Sequence, residues 1–531
     1  MLKRFAVLVS VILLAMFSVL VGCGGNSAPA FASPSTPAVP ERSKVVNIGF
    51  SEKPRTLDPH NAPEQGSETT NRMFFETLIY SSHDGSPYTP LLAESWDIAP
   101  DGKSWTFYLR KGVFWHNGDP FNADDVVATY TRLSDRRDDL GYFNNNLADF
   151  ESVEKIDEHT VKVNFSQPYP LAGNSFRGTY IIPAKAYEEL GDDLFHLQYC
   201  YGTGPWMLVE WVDGQYSHFK KNPDYWNKAV YDPYFEEVYI WHIGEPASAV
   251  AAHISGSLDA YTPSGGINYD MLPLYAGTED TIEIVSIETS TNWFLQFQCR
   301  EDNPFTDIKV RQALDMAIDR QLIIDAILGG GRHPIGLWAP EVTGHDPKID
   351  PYVYDPDRAR QLLAESTYDG RTVQILSYPN APKAEEICLY IADMANKVGF
   401  NMTVAIEATN IYGTRRATGD YDVFGAHVSF PDGVPFRIMN VHVLNDIYKN
   451  HFNNAELNAI VQKFNVELDP AQRKKYAQEF NRFLRDHTAP QVAVAHLNAI
   501  YAVNYGIVGI DLYPDGLHNF SYVDYDPSKV K

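Results

Sequence analysis

Cysteine is scarce. Four occur in 531 residues, at Cys23, Cys200, Cys299 and Cys388. No two are spaced as Cys-x-x-Cys, so neither a zinc ribbon nor a thioredoxin-type redox pair is indicated. Basic residues are outnumbered, 43 Lys and Arg against 68 Asp and Glu, giving a formal charge of -25. A surface that acidic repels phosphate backbones, which argues against nucleic acid as a partner and slightly favours cationic ligands. Catalytic signatures are also missing. The chain has no His-Glu-x-x-His, no Gly-x-Ser-x-Gly, no Walker A loop and no Gly-x-Gly-x-x-Gly. Its carboxylates are plentiful, but no spacing sets two of them across a scissile bond. The 16 histidines are scattered, without metal-ligand spacing.

Long apolar runs are confined to the start. Lys3 and Arg4 precede Phe5 to Val21, which carries no charge. A basic head, an apolar stretch and small residues at its end describe an export signal. The alternative, a transmembrane anchor, sits at the short limit for spanning a bilayer core of about 30 Å. The ending Leu20-Val21-Gly22-Cys23 resembles a bacterial lipobox. Residues 1–22 are therefore expected to be a lipoprotein signal peptide, with Cys23 as the lipid attachment site. The acyl chains would hold the protein on a membrane by burying methylenes. Residues 23–43, rich in Ser, Pro, Ala and Gly, cannot bury a core and read as a flexible tether. With Cys23 lipidated, three thiols remain, so at most one internal disulfide forms and its pairing stays open.

The body begins near Lys44 and is long enough for two or three domains. Strand-like and helical runs alternate, which predicts a mixed α/β fold. Val45–Phe50, Trp105–Arg110 and Thr160–Phe165 read as strands. Asn122 is placed to cap a helix, with Phe121 and Val126 at the staple positions. Val310, Leu314, Ala317 and Ile318 share a helical face. Asp355-Pro356 starts another helix, and Pro470–Asp486 reads as a long charged surface helix. No internal repeat is present.

The residues Leu92 to Leu133 carry more than periodicity. Ala93-Glu94-Ser95-Trp96, Asp101-Gly102, Leu109-Arg110-Lys111-Gly112, Gly118-Asp119-Pro120 and Ala123-Asp124-Asp125-Val126 follow one another in order. Thr56-Leu57-Asp58-Pro59-His60 precedes them. Gly202-Thr203-Gly204-Pro205-Trp206, Asn222-Pro223-Asp224-Tyr225-Trp226 and Gly256-Ser257-Leu258-Asp259 follow. The series continues through Pro304-Phe305, Val310-Arg311-Gln312-Ala313, Ala317-Ile318-Asp319-Arg320 and Asp355-Pro356 to Leu362-Leu363, and closes on Asp420-Tyr421-Asp422. This series resembles the family 5 extracellular solute-binding proteins of ABC importers, the dipeptide, oligopeptide and nickel binders. It covers nearly all of residues 44–531.

The resemblance implies a periplasmic-binding-protein fold: two lobes joined by crossover hinge strands, with an extra subdomain on lobe one. Lobe one would span residues 44–290 with its subdomain at about 88–200, lobe two residues 291–496, and residues 497–531 would return to lobe one. It also implies a monomer without cofactor or covalent chemistry. Such a protein closes on a short peptide and delivers it to permease subunits and their ATPases. The expected location is exported and lipid-anchored, in a periplasm or on the outer face of the cell membrane.

Most of these motifs are turn and core chemistry rather than ligand contacts. By position, the ligand-facing candidates are Glu64, Gln65 and Gly66, then Tyr142, Trp338, Ala426, His427, Val428, Ser429, Phe430 and Asp432. The sequence departs from the peptide-binding pattern here. His427 stands where a Trp is expected, and Phe430 where an Asp fixes the ligand's amino group. Asp432 is a replacement only if the register shifts. A nonpeptide solute, such as a sugar or a nickel chelate, is the alternative ligand. The many Trp and Tyr could stack on a sugar ring, though such residues also fill cores.

Overall fold

The computed structural model describes residues 42–531 except 63, 82–87, 138, 141–148, 171, 200, 380, 382, 431–434, 436–438, 440–448 and 513–517. Cys23, Tyr142 and Asp432 lie outside the described residues, as do the signal peptide and most of the tether. Among the described residues, no helix is long and apolar enough to cross a membrane.

The mixed α/β expectation is met by one large sheet. Its strands are β1 (Val45–Phe50), β2 (Trp206–Val212), β3 (Tyr216–Lys221), β4 (Glu237–His242), β5 (Ala260–Tyr261), β6 (Ile282–Phe297), β7 (Thr372–Ser377), β8 (Asn401–Ile406), β9 (Val423–Val428) and β10 (Gln491–Asn504). Their order is β8-β7-β9-β6-β10-β5-β1-β4-β3-β2. Alternation sets the faces: Val46, Ile48 and Phe50 of β1 are all buried, while Val45 and Asn47 are partly exposed. A second, four-stranded antiparallel sheet holds Ala93–Ile98, Ser104–Leu109, Thr160–Phe165 and Phe150–Asp157 in that order.

β6 and β10 are the longest strands, and they decide the architecture. Ile282–Glu288 of β6 pairs with Asn498–Asn504 of β10. The register then shifts, and Asn292–Gln296 pairs with Gln491–His496. Below the shift, β10 meets β5; above it, β6 meets β9. Two strands thus run from one half of the sheet into the other.

The apolar clusters follow this division. One joins Val46–Phe75, Tyr180–Ala260 and Ala499–Val523. The largest joins Trp293–Leu497 to Leu78–Ile181, so the core of the smaller sheet is continuous with that of the second half. Leu468 closes over Gly102 in this region, where a Cβ would lie 2.5 Å from Leu468 Cδ2.

Local rules hold at the helix ends. Asn122 Oδ1 accepts from the Asp124 amide at 2.7 Å, and Asp125 Oδ2 accepts from the Asn122 amide at 2.9 Å, starting the helix Ala123–Asp135. The helix Ile308–Ala317 stops one residue before Ile318, which is extended but fully buried. The helix Pro470–His487 is the long charged surface helix expected, with one apolar side. Ala477, Phe480, Phe483 and Leu484 form a buried stripe on it.

Candidate functional site

Strand direction locates the cleft. β1 runs parallel to β4 and β5, and β7 runs parallel to β8 and β9. β5 and β6 both run antiparallel to β10, so β5 advances with β6; β9 opposes β6. The carboxyl ends of the two parallel sets therefore point toward each other at the crossover. Ligands of open α/β sheets bind outside such strand ends.

The first wall is the chain that follows β1. Glu64, Gln65 and Gly66 open the helix α1 (Gln65–Arg72). Glu64 Oε1 accepts from the Ser67 hydroxyl and, at 3.3 Å, from the Arg55 amide. Arg55 Nε lies 3.6 Å from Glu64 Oε2. Gln65 Oε1 is buried with no hydrogen-bond partner among the described residues. Gly66 is fixed by close approach: a Cβ there would lie 2.3 Å from the Lys53 carbonyl oxygen. Ser264, just beyond β5, donates its amide to Ser51 Oγ at 2.9 Å, which joins the ends of β5 and β1.

The second wall is the end of β9. The His427 ring pairs with Tyr378 Oη at 3.2 Å through Nδ1. Tyr378 in turn stacks on Tyr412, with centroids 4.5 Å apart. Burial lowers the His427 pKa to about 4, so the ring is neutral at pH 7. Ser429 Oγ meets Thr291 Oγ1 at 2.8 Å. Phe430 donates its amide to Ser290 Oγ at 3.0 Å, and its carbonyl accepts from the same hydroxyl at 3.1 Å. Ser290 and Thr291 occupy the register shift of β6, so the crossover itself holds this segment.

Phe430 and Trp338 meet edge to face at 5.3 Å, and Trp338 stacks on Phe480. They are 1% and 0% exposed respectively, which places both rings in the core. The structure thus brings Ala426–Phe430 and Trp338 together with Ser290, Thr291 and Tyr378. Nothing local in the sequence marks the last three, because contacts from distant strands create their roles.

The diagnostic motifs serve the scaffold. Glu76 is a buried carboxylate that accepts from Thr203 Oγ1 at 2.8 Å, Tyr225 Oη at 3.0 Å and Trp226 Nε1 at 2.9 Å. Burial raises its pKa to about 7. Two motifs, Gly202–Trp206 and Asn222–Trp226, therefore converge on one acid. Asp58 of the early motif pairs with the buried Arg132, and His60 bridges Arg132 and the Tyr180 carbonyl.

Two parallel strand sets that face each other across two shared strands define a two-walled binding architecture. The chain belongs to the bacterial extracellular solute-binding proteins, family 5, whose central-region model matches residues 87–446. It is 26% identical over 529 residues to the periplasmic oligopeptide-binding protein of Haemophilus influenzae, covering 93% of each chain. It is 27% identical over 374 residues to a glutathione-binding protein of Salmonella choleraesuis, covering 69% of this chain and 70% of that one. In fold it is similar to the dipeptide-binding protein of Pseudoalteromonas sp. SM9913 solved with Met-Leu. That match has a TM-score of 0.75 at 21% identity and covers 91% of this chain and 100% of the other.

Proposed function

We propose that this protein is the ligand-capturing component of an ABC importer and that it takes short peptides. One structural observation carries the reading. Among the described residues, the ladder of β9 to β7 ends at Phe424, while its ladder to β6 continues to Val428. On the other edge of Ala426–Val428, which is largely buried, no described strand pairs. A short strand edge without a strand partner suits an extended peptide, which adds as a strand through main-chain hydrogen bonds that are blind to side-chain identity. The oligopeptide-binding relative, aligned over nearly its full length, supports the same choice.

In this reading, residues 44–290 with 497–531 form lobe one, including the insertion at about 88–200, and residues 291–496 form lobe two. Glu64–Gly66 and Ala426–Ser429 line opposite walls. Trp338 and Phe430 stiffen the second wall from within. Since Phe430 is a buried ring, a ligand amino group needs another carboxylate, and Asp432 is assigned that role. Closure is a population shift toward the ligand-filled state, with no covalent step. Cys23 carries the lipid that keeps the monomer on the membrane, outside the cytoplasm and next to its permease.

The test is native mass spectrometry of the full chain, purified gently from cells in mild detergent. A ladder of bound masses that sequence as short peptides is expected. A single nonpeptide mass, or a mass lost on adding a chelator, would overturn the peptide assignment. Intact-mass analysis of the same sample reads the lipid on Cys23 directly.

A further inference from the structure

Tyr269 and Asp270 are adjacent in the short turn Tyr269–Tyr275, which follows β5 in the first half. Each meets a different loop of the second half. The Tyr269 ring covers Gly329 and Gly330. A Cβ on Gly329 would lie 2.9 Å from Tyr269 Cβ, and one on Gly330 would lie 2.5 Å from Tyr269 Oη and 2.7 Å from Cε1. Asp270 Oδ2 lies 3.1 Å from Lys383 Nζ. Lys383 stands just before the helix Ala384–Val398 in a left-handed conformation, φ 51°. An L side chain adopts that region only when its surroundings hold it there.

The run Gly329-Gly330-Gly331 divides its work. Gly329 and Gly331 have φ of 71° and 121°, and a Cβ on Gly331 would lie 2.8 Å from the His496 carbonyl oxygen. Gly330 has no such backbone requirement. Its lack of a side chain is what lets the Tyr269 ring come down. Three successive glycines lose much conformational entropy on ordering, and the middle one is accounted for by the contact with the other half alone.

We infer that Tyr269 on Gly329–Gly330 and Asp270 on Lys383 form a closure lock, which sets the closed population and hence the affinity without contacting ligand. This rests on the two-lobe reading above. Both contacts join the two halves, so either one biases the equilibrium toward the arrangement in which they are made, and loosening one loosens the other.

The test compares the full-length protein with Gly330→Ala, Lys383→Asp and the double variant Asp270→Lys/Lys383→Asp. Hydrogen–deuterium exchange of the ligand-free protein is followed over residues 265–276 and 326–334. Lys383→Asp is expected to speed exchange at 326–334, around the glycines that the Tyr269 ring covers. Gly330→Ala is expected to speed exchange at 265–276, and the charge-swapped double variant restores parental rates. Trialanine, used as a calorimetric probe, is expected to bind Gly330→Ala about tenfold more weakly. Exchange altered only next to each substitution, with trialanine affinity unchanged, would overturn the lock. Coupled exchange changes in a protein that binds no trialanine support the lock and count against the peptide reading instead.

Discussion

Lowering the pH from 7 to 5 should destabilise this protein through its buried histidines. Burial is the leading cause of the lowered pKa in all seven. It holds His60, His116, His242, His253 and His427 at about 4. His496 and His518 fall to about 3, with Arg332 and Arg72 adding to the burial. In the unfolded chain each ring titrates near 6.5. The folded values are depressed, so the folded state binds fewer protons between about pH 4 and 6.5, and stability falls as the pH falls.

A ring with a folded pKa of about 4 contributes a loss of about 2 kcal/mol at pH 5. Glu76 and Asp125 act in the opposite sense. Burial raises them to about 7 and about 6, so they favour the folded state as the pH drops. Together they return about 3 kcal/mol over the same interval. If water entry halves the histidine effect, seven rings still leave a net loss of about 4 kcal/mol, a large part of an ordinary domain's stability. Guanidinium unfolding followed by the fluorescence of the nine tryptophans at pH 7, 6 and 5 measures this directly. Stability that is flat or rising down to pH 5 would refute the reasoning. His518→Asn should flatten the slope by about one proton.

Other outcomes follow from single contacts. Glu76→Gln places an amide against hydroxyl and indole donors, and should lose about 1–3 kcal/mol in urea unfolding. Arg320 and Asp315 form an ion pair that is 1% and 4% exposed, with Arg320 also bonded to the Ala493 carbonyl. Arg320→Met leaves Asp315 without this partner and should lose about 3–5 kcal/mol by the same measure. Gly66→Ala drives a methyl into the Lys53 carbonyl, so it should destabilise by about 1–3 kcal/mol and weaken ligand binding measured by calorimetry.

Much of the frame was legible because it is local. Asn122 announced its helix through a cap that spans three residues, and β1 through the alternation of Val46, Ile48 and Phe50. The motif series pointed to the family, since turns and caps leave their residues in fixed order. Pro470–His487 is the charged surface helix expected, and its inner stripe at Ala477, Phe480, Phe483 and Leu484 is what its charges mask. Glu64–Gly66 and Ala426–Ser429 were ligand-facing candidates through resemblance rather than from their own chemistry, and their place after β1 and at the end of β9 came from the structure.

The sequence by itself determined where elements begin, which faces turn inward, and which family the chain resembles. Those properties depend on neighbours within a few residues. Only the tertiary structure decided what the distant residues do together. Glu76 meets Thr203, Tyr225 and Trp226 because separate motifs fold onto one acid. Phe430 enters the core because Ser290, in the register shift of β6, holds its backbone while Trp338 receives its ring. Gly330 is bare because Tyr269 comes to it from the other half. Each is a contact between residues far apart in the chain, and no local pattern records which distant partner will arrive.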